Sequence, residues 1–245
     1  MKQRVADFLS KYMGYIFFVL IVLIVESSYY TEYTTEASFY CMSMGLSLDR
    51  DGWNIKELMN YLLPWIMIHS MVGAYLYNEV SKRACYVLLR VKSIKCWYRR
   101  QMFLVFRKVL GLVMIYAVVT VILIILYIPQ RDWSMVLPQL GISFLLTLGL
   151  ALLLSGIQVV LILSFQEVSL SYCLIMAIQI ISIPLATQTN GLAKYLIGNW
   201  SMYRRSTCVT LGGFSVIQVV IVEIVVIGLV SLFGDRLIKR IRESR

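Results

Sequence analysis

The sequence predicts an all-α polytopic membrane protein. One domain over 1–245 holds six transmembrane helices with both termini in the cytoplasm, an amphipathic cytoplasmic helix after the second span and a re-entrant segment on the outer face. Three observations carry that prediction. Hydrophobic residues make up 60% of the 245 and charged residues only 15%, with a mean hydropathy of +0.78; an ordinary soluble domain is nearer half apolar. The apolar residues gather into six runs at approximately 13–30, 60–78, 107–128, 137–164, 169–187 and 212–234, each close to the length that crosses about 30 Å of hydrocarbon. An even number of spans puts both ends on one side, and the basic residues choose that side. Three lie in the N-terminal lead, nine between 79 and 108 and five in the tail, so 17 of the 23 fall on the side assigned to the cytoplasm.

Taken in order, residues 1–12 read as an interfacial anchor, with Val5, Phe8 and Leu9 on lipid and Lys2, Arg4 and Lys11 among headgroups. The first run ends in Glu26-Ser27-Ser28-Tyr29-Tyr30 instead of a small-residue cleavage site, so the first span is expected to stay. Residues 31–59 form the longest external loop. The second span is expected to start near Pro64 and to hold His69 at its centre. The third opens after Arg107-Lys108 and stops before Pro129, and Pro138 opens the fourth. Only residues 165–168 separate the fourth and fifth runs, which makes those helices antiparallel neighbours.

The external segment 188–211 is too apolar for a free loop and too short for a span. Leu192, Tyr195, Leu196, Ile197 and Trp200 alternate there with Gly191, Gly198 and Asn199. A re-entrant or interfacial helical hairpin fits that mixture, with Arg204 and Arg205 at headgroup level. The sixth run carries Glu223 near its middle and passes into a basic tail, Arg236 to Arg245, expected as a helix against anionic lipid.

Residues 77–108 hold nine basic residues against one acid, Glu79. Such a stretch cannot lie in hydrocarbon. At 100° per residue, Val80, Ala84, Val87, Leu88, Val91, Ile94 and Tyr98 fall within a face of roughly 120°, the mark of an amphipathic helix. No Gly or Pro interrupts 74–110. A bend after Arg90, with Ser93 capping a second short helix through Lys95 and Trp97, is equally open. One reading makes the stretch a topological signal only; the other makes it a docking surface.

Leu88-Leu89-Arg90-Val91-Lys92-Ser93-Ile94-Lys95-Cys96-Trp97-Tyr98, following a charged exit from the second span, resembles the coupling region of six-span permease subunits of ATP-binding-cassette exporters. The layout of the chain and the segment 188–211 are similar to that family as well. The resemblance implies a cytoplasmic ATPase partner contacted by Glu79, Arg83, Arg90, Lys92, Ser93 and Trp97. It implies a second contact near Glu167, and an assembly of two permease chains, identical or not, with two ATPase chains. The small size is similar to bacterial permeases that expel antimicrobial peptides, lantibiotics among them, in Gram-positive plasma membranes; the substrate is analogy alone.

The remaining chemistry narrows the field. The sequence contains no GxxxxGK[ST], so ATP and Mg would bind the partner and no cofactor is expected on this chain. It contains no HExxH or GxSxG either, and a single histidine, which argues against an enzyme. The five cysteines lack metal spacing. The net charge of +10 suits anionic lipid and topology better than nucleic acid. His69, Gln179 and Glu223 are polar groups inside apolar runs, placed at similar depths by counting along their helices. They read either as the lining of a path or as interhelical hydrogen bonds that fix packing. The rival functions are a secondary transporter, which would need inverted repeats and paired carboxylates, and a non-transporting scaffold or sensor.

Overall fold

The computed structural model describes residues 14–21, 23–24, 55–81, 93–127, 133–165, 167–188, 193–209 and 212–243. The interfacial lead, the external loop before residue 55 and residues 82–92, with Arg83, Arg90, Lys92 and most of the apolar stripe, lie outside them. Within the described residues the protein is all-helical. A first helix, α1, covers 14–21 and continues at 23–24. The others are α2 (Ile55–Leu76), closed by a π turn at Tyr77–Ser81, α3 (Ile94–Tyr127), α4 (Trp133–Phe165), α5 (Val168–Gln188) and α6 (Val216–Glu243). Among the described residues, three stretches are long and apolar enough to cross a membrane: Lys95–Leu126, Val136–Phe165 and Val168–Leu185. Val216–Leu232 is a shorter apolar stretch.

The helices run past the apolar runs that announce them, because hydropathy marks what lipid tolerates and helicity needs only compatible residues. Helix α2 begins nine residues before Pro64, and α4 begins five before Pro138. Both prolines therefore sit inside helices instead of opening them. Each removes one backbone donor and frees the carbonyl four residues earlier. The third helix is extended most. Ser93 caps it, its Oγ accepting from Cys96 N at 3.4 Å while its carbonyl accepts from Trp97 N at 3.2 Å. The expected short helix through Lys95 and Trp97 is thus continuous with the third span, since nothing from Ile94 to Leu110 breaks it. Its 34 residues reach about 51 Å at 1.5 Å per residue. The charge-free part, 109–127, is 19 residues or about 28 Å, the thickness of a hydrocarbon core. The four turns before it carry Lys95, Arg99, Arg100, Arg107 and Lys108.

Helix α4 is the hub, packing on α6, α3, α5 and α2. It is apolar around its whole circumference, as a surrounded helix is, and Leu146, Leu150, Ala151, Leu154 and Val159 are fully buried. The outer helices are two-sided. On α3, Val105, Val109, Leu112 and Val119 face inward while Leu110, Met114, Val118 and Ile122 are exposed four residues apart. On α6, Ile217, Ile221, Ile224, Val225 and Leu229 are likewise exposed. A continuous apolar outer stripe is what lipid contacts and water does not tolerate.

Among the described residues between α5 and α6 the chain forms three 3₁₀ turns, Ala193–Tyr195, Ile197–Asn199 and Tyr203–Arg205. A short parallel bridge, Thr207 N to Phe214 O at 2.9 Å and Phe214 N to Arg205 O at 3.1 Å, folds the segment back before α6. Gly212 makes the return at φ 86°, where a side chain would be strained.

Candidate functional site

The buried polar side chains are distributed over the seams between α4 and its neighbours and over the turns that cap the bundle. On α2, Tyr61, Trp65 and His69 recur every four residues on one face. Trp65 stacks on His69 with ring centroids 6.2 Å apart and 16° between planes. His69 is fully buried and its Nδ1 lies 3.1 Å from Gln158 Oε1 of α4, while Gln158 Nε2 donates to the His69 carbonyl at 3.0 Å. The second bond fixes the amide, so Gln158 presents its oxygen to the ring and Nδ1 carries the proton. Nε2 is left as an acceptor, with no hydrogen-bond partner.

Glu223 of α6 is 2% exposed. Its carboxylate lies against Gly149 of α4, where even a Cβ would collide with Oε2 and approach Cδ to 2.8 Å. Only glycine leaves room for that carboxyl, and Oε1 has no hydrogen-bond partner. Gln179 of α5 is fully buried with both amide atoms unpartnered, next to the backbone at Gly198. Neither His69 nor Gln179, placed at similar depths to Glu223 by counting, is hydrogen-bonded to it, and His69 is not level with it. The reason is helical phase and depth. His69 meets α4 at Gln158 and Glu223 meets it at Gly149, nine residues or about 13 Å along the same helix. Counting along separate helices does not capture that offset.

Arg205 departs furthest from the sequence expectation, being wholly buried instead of lying among headgroups. Its Nη1 donates to Asn199 Oδ1 and to the Ile183 carbonyl at 3.3 Å, while Asn199 Nδ2 donates to the Ser182 carbonyl at 3.2 Å. Segment and α5 are thereby joined at the last turns of that helix. Tyr61 ties in α2, its hydroxyl 2.5 Å from Ser201 Oγ. Burial pulls the Arg205 pKa down to about 10, with Tyr61 acting in the opposite sense. The guanidinium is thus charged at neutral pH, and its solvation there is supplied by side-chain and backbone oxygens.

The opposite end of the bundle gathers the residues expected to meet a partner. Helices α2 and α4 end there, and α3 and α5 begin there. Tyr98, fully buried, brings α6 to the same level by donating to the Val230 carbonyl at 2.7 Å and lying against Gly234. Ser93, Lys95, Arg99, Arg100, Glu167 and Arg236 are exposed on this end and Glu79 is half-buried. Trp97 is buried at 8% exposure. Lys108 lies 4.7 Å over the Tyr75 ring, and Tyr75 donates to Gln101 Oε1 at 2.9 Å.

The sequence reading missed Gln158, Gly149, Arg205, Asn199 and the Tyr61–Ser201 tie. For Gln158 the signal was visible, an amide well inside the fourth apolar run, whose other amide, Gln139, lies at its start. For Gly149 and Arg205 none was, because both are defined by what packs against them. Comparison with protein families, characterised proteins and solved structures finds no match for this chain.

Proposed function

We propose that the chain is the six-span permease subunit of an ATP-driven exporter, with cytoplasmic termini, working in a bacterial plasma membrane beside a separate ATPase. Two permease chains and two ATPase chains would form the unit, with an amphipathic peptide as cargo. The observation that carries this reading is the asymmetry of the bundle. One end collects the exposed Lys95, Arg99, Arg100 and Arg236 together with the α4–α5 link at Glu167. The other end closes over a buried Arg205. Positive charge at one end sets orientation, and helices that outrun the hydrocarbon offer a docking platform beyond it. ATP binding on the partner would close the ATPase pair, push on the platform and shift the permease between inward- and outward-facing states.

The test reverses Arg90 and Lys92 to Glu, leaving Lys82, Arg99, Arg100, Arg107 and Lys108 to hold the topology. The expected product is an inserted protein that no longer retains the partner ATPase on purification and no longer stimulates its ATP hydrolysis. Desolvated charge pairs at such an interface are worth a few kcal/mol, enough to decide assembly. A variant that copurifies with a full ATPase complement and still exports would reduce the loop to a topological signal.

A further inference from the structure

The outward face of α3 changes character partway along the helix. From Leu110 onward it is apolar, with Met114 and Val118 exposed at the following turns. In the other direction the same face carries Arg107, Phe103 and Arg100, all exposed and spaced four and three residues apart. Phe103 is 65% exposed between the two arginines. Lys108 turns away from this face, over the Tyr75 ring of α2.

Depth gives the three residues a place in the membrane. Arg107 stands at the edge of the charge-free stretch 109–127 that fills the hydrocarbon. Phe103 is about 6 Å further along the axis and Arg100 about 10 Å. The headgroup layer adds about 5–7 Å beyond the hydrocarbon, so Arg107 and Phe103 lie in it and Arg100 at its rim. Side chains of a helix lean toward its N-terminus, which carries the Arg107 head away from the hydrocarbon and toward Phe103. Helix α3 contains no Asp or Glu. The two guanidinium groups therefore have no carboxylate on their own helix.

We propose that this lateral face of α3 binds an anionic phospholipid, with its phosphodiester on Arg107 and Arg100, its glycerol region over Phe103 and an acyl chain along Leu110, Met114 and Val118. The planar fork of a guanidinium matches two phosphate oxygens at once, which a point charge does not. A zwitterionic lipid would bring its own cationic group to the same arginines, so an anionic head is preferred. A free phosphate would leave Phe103 and the apolar stripe uncovered, whereas a lipid covers charge, ring and stripe together. The site goes beyond the exporter reading and stands or falls without it.

The experiment uses the purified full chain in phosphatidylcholine nanodiscs doped with a photoreactive phosphatidylglycerol that carries a diazirine in one acyl chain. The probe should label the α3 peptides around Leu110 and Met114 saturably, and unlabelled phosphatidylglycerol should compete. Arg100→Gln and Arg107→Gln should each weaken half-saturation about fivefold, the factor one basic residue contributes at an anionic surface. Both positions are exposed, so the melting temperature should hold. Lys95→Gln removes the same charge from the same helix about 18 Å from Arg107 and should leave half-saturation unchanged. Competition by inorganic phosphate as effective as by phosphatidylglycerol would make this a free-anion site. Equal labelling by the matching phosphatidylcholine probe, or parental labelling in both arginine variants, would leave the face a topological signal only. Either result would overturn the proposal.

Discussion

Among the ionisable side chains shut inside this bundle, Arg205 and Glu223 are treated in opposite ways. Arg205 is enclosed by a segment that folds around it. Asn199 and the Ile183 carbonyl accept from its guanidinium, and the Thr207–Phe214 bridge closes the chain behind it. Glu223 is enclosed by a helix, its carboxyl pressed on bare backbone at Gly149 and one oxygen left without a partner. The first burial is bought with hydrogen bonds, the second with close packing. The difference teaches where each group acts: Arg205 organises a segment built from 3₁₀ turns and one bridge, whereas Glu223 sets how near α6 can come to α4.

The largest effect should come from breaking the first arrangement. Arg205→Ala removes the largest fully buried side chain, leaves Asn199 Oδ1 without that donor and opens a cavity. Together these cost on the order of 3 kcal/mol or more. Thermal unfolding in detergent should drop by several degrees, and Cys208, at the surface of this segment, should react faster with a thiol reagent. An unchanged melting temperature would mean that the segment does not depend on its arginine.

Next comes the second arrangement. Gly149→Ala places a methyl group where the carboxyl sits, and overpacking of that kind costs about 1–3 kcal/mol. Shortening the partner in the double variant Gly149→Ala/Glu223→Ala should recover most of the loss. The two substitutions must then be non-additive in a double-mutant cycle by about 1 kcal/mol or more. Additivity would show that the two residues do not share a contact.

The sequence made one of these groups visible and hid the character of the other. Glu223 and His69 stand out because a polar side chain in an apolar run is costly and must face protein, and both are buried. Their partners could not be read, because contact between helices depends on phase and offset, which one sequence does not encode. Arg205 was hidden by its neighbour: Arg204-Arg205 beside a span looks like an interfacial pair, yet 3₁₀ turns aim the second of them inward and leave the first half-buried. The helix ends divide in the same way. Ser93 was legible as a cap because its role is local. The starts of α2 and α4 were not, since both helices begin ahead of the apolar runs that mark them.

A smaller effect tests how the capping segment is tied to the helices. Tyr61→Phe keeps the ring against Trp65 and removes only the hydroxyl that meets Ser201. One buried hydroxyl left alone costs about 1 kcal/mol. The expected fall in melting temperature is therefore clearly less than for Arg205→Ala. A loss as large as that of Arg205→Ala would move the organising role from the arginine to this tie.

The smallest change sharpens the comparison most. Glu223→Gln keeps the volume and outline of the side chain and removes its capacity for charge. If close packing against Gly149 is what Glu223 supplies, the amide fills the same space, a polar atom is still left without a partner, and stability should stay within about 0.5 kcal/mol of the parent. If the chain works with an ATPase as proposed, copurification with it and stimulation of its hydrolysis should also persist, since no contact between α4 and α6 has been lost. The Gly149→Ala background supplies the control. There Glu223→Gln should rescue nothing, because the collision is with the end of the side chain and not with its charge, whereas Glu223→Ala should rescue. A Gln variant that folds and assembles normally yet no longer supports transport would assign the carboxyl a charge-dependent task, and packing would then be the means of holding it in place.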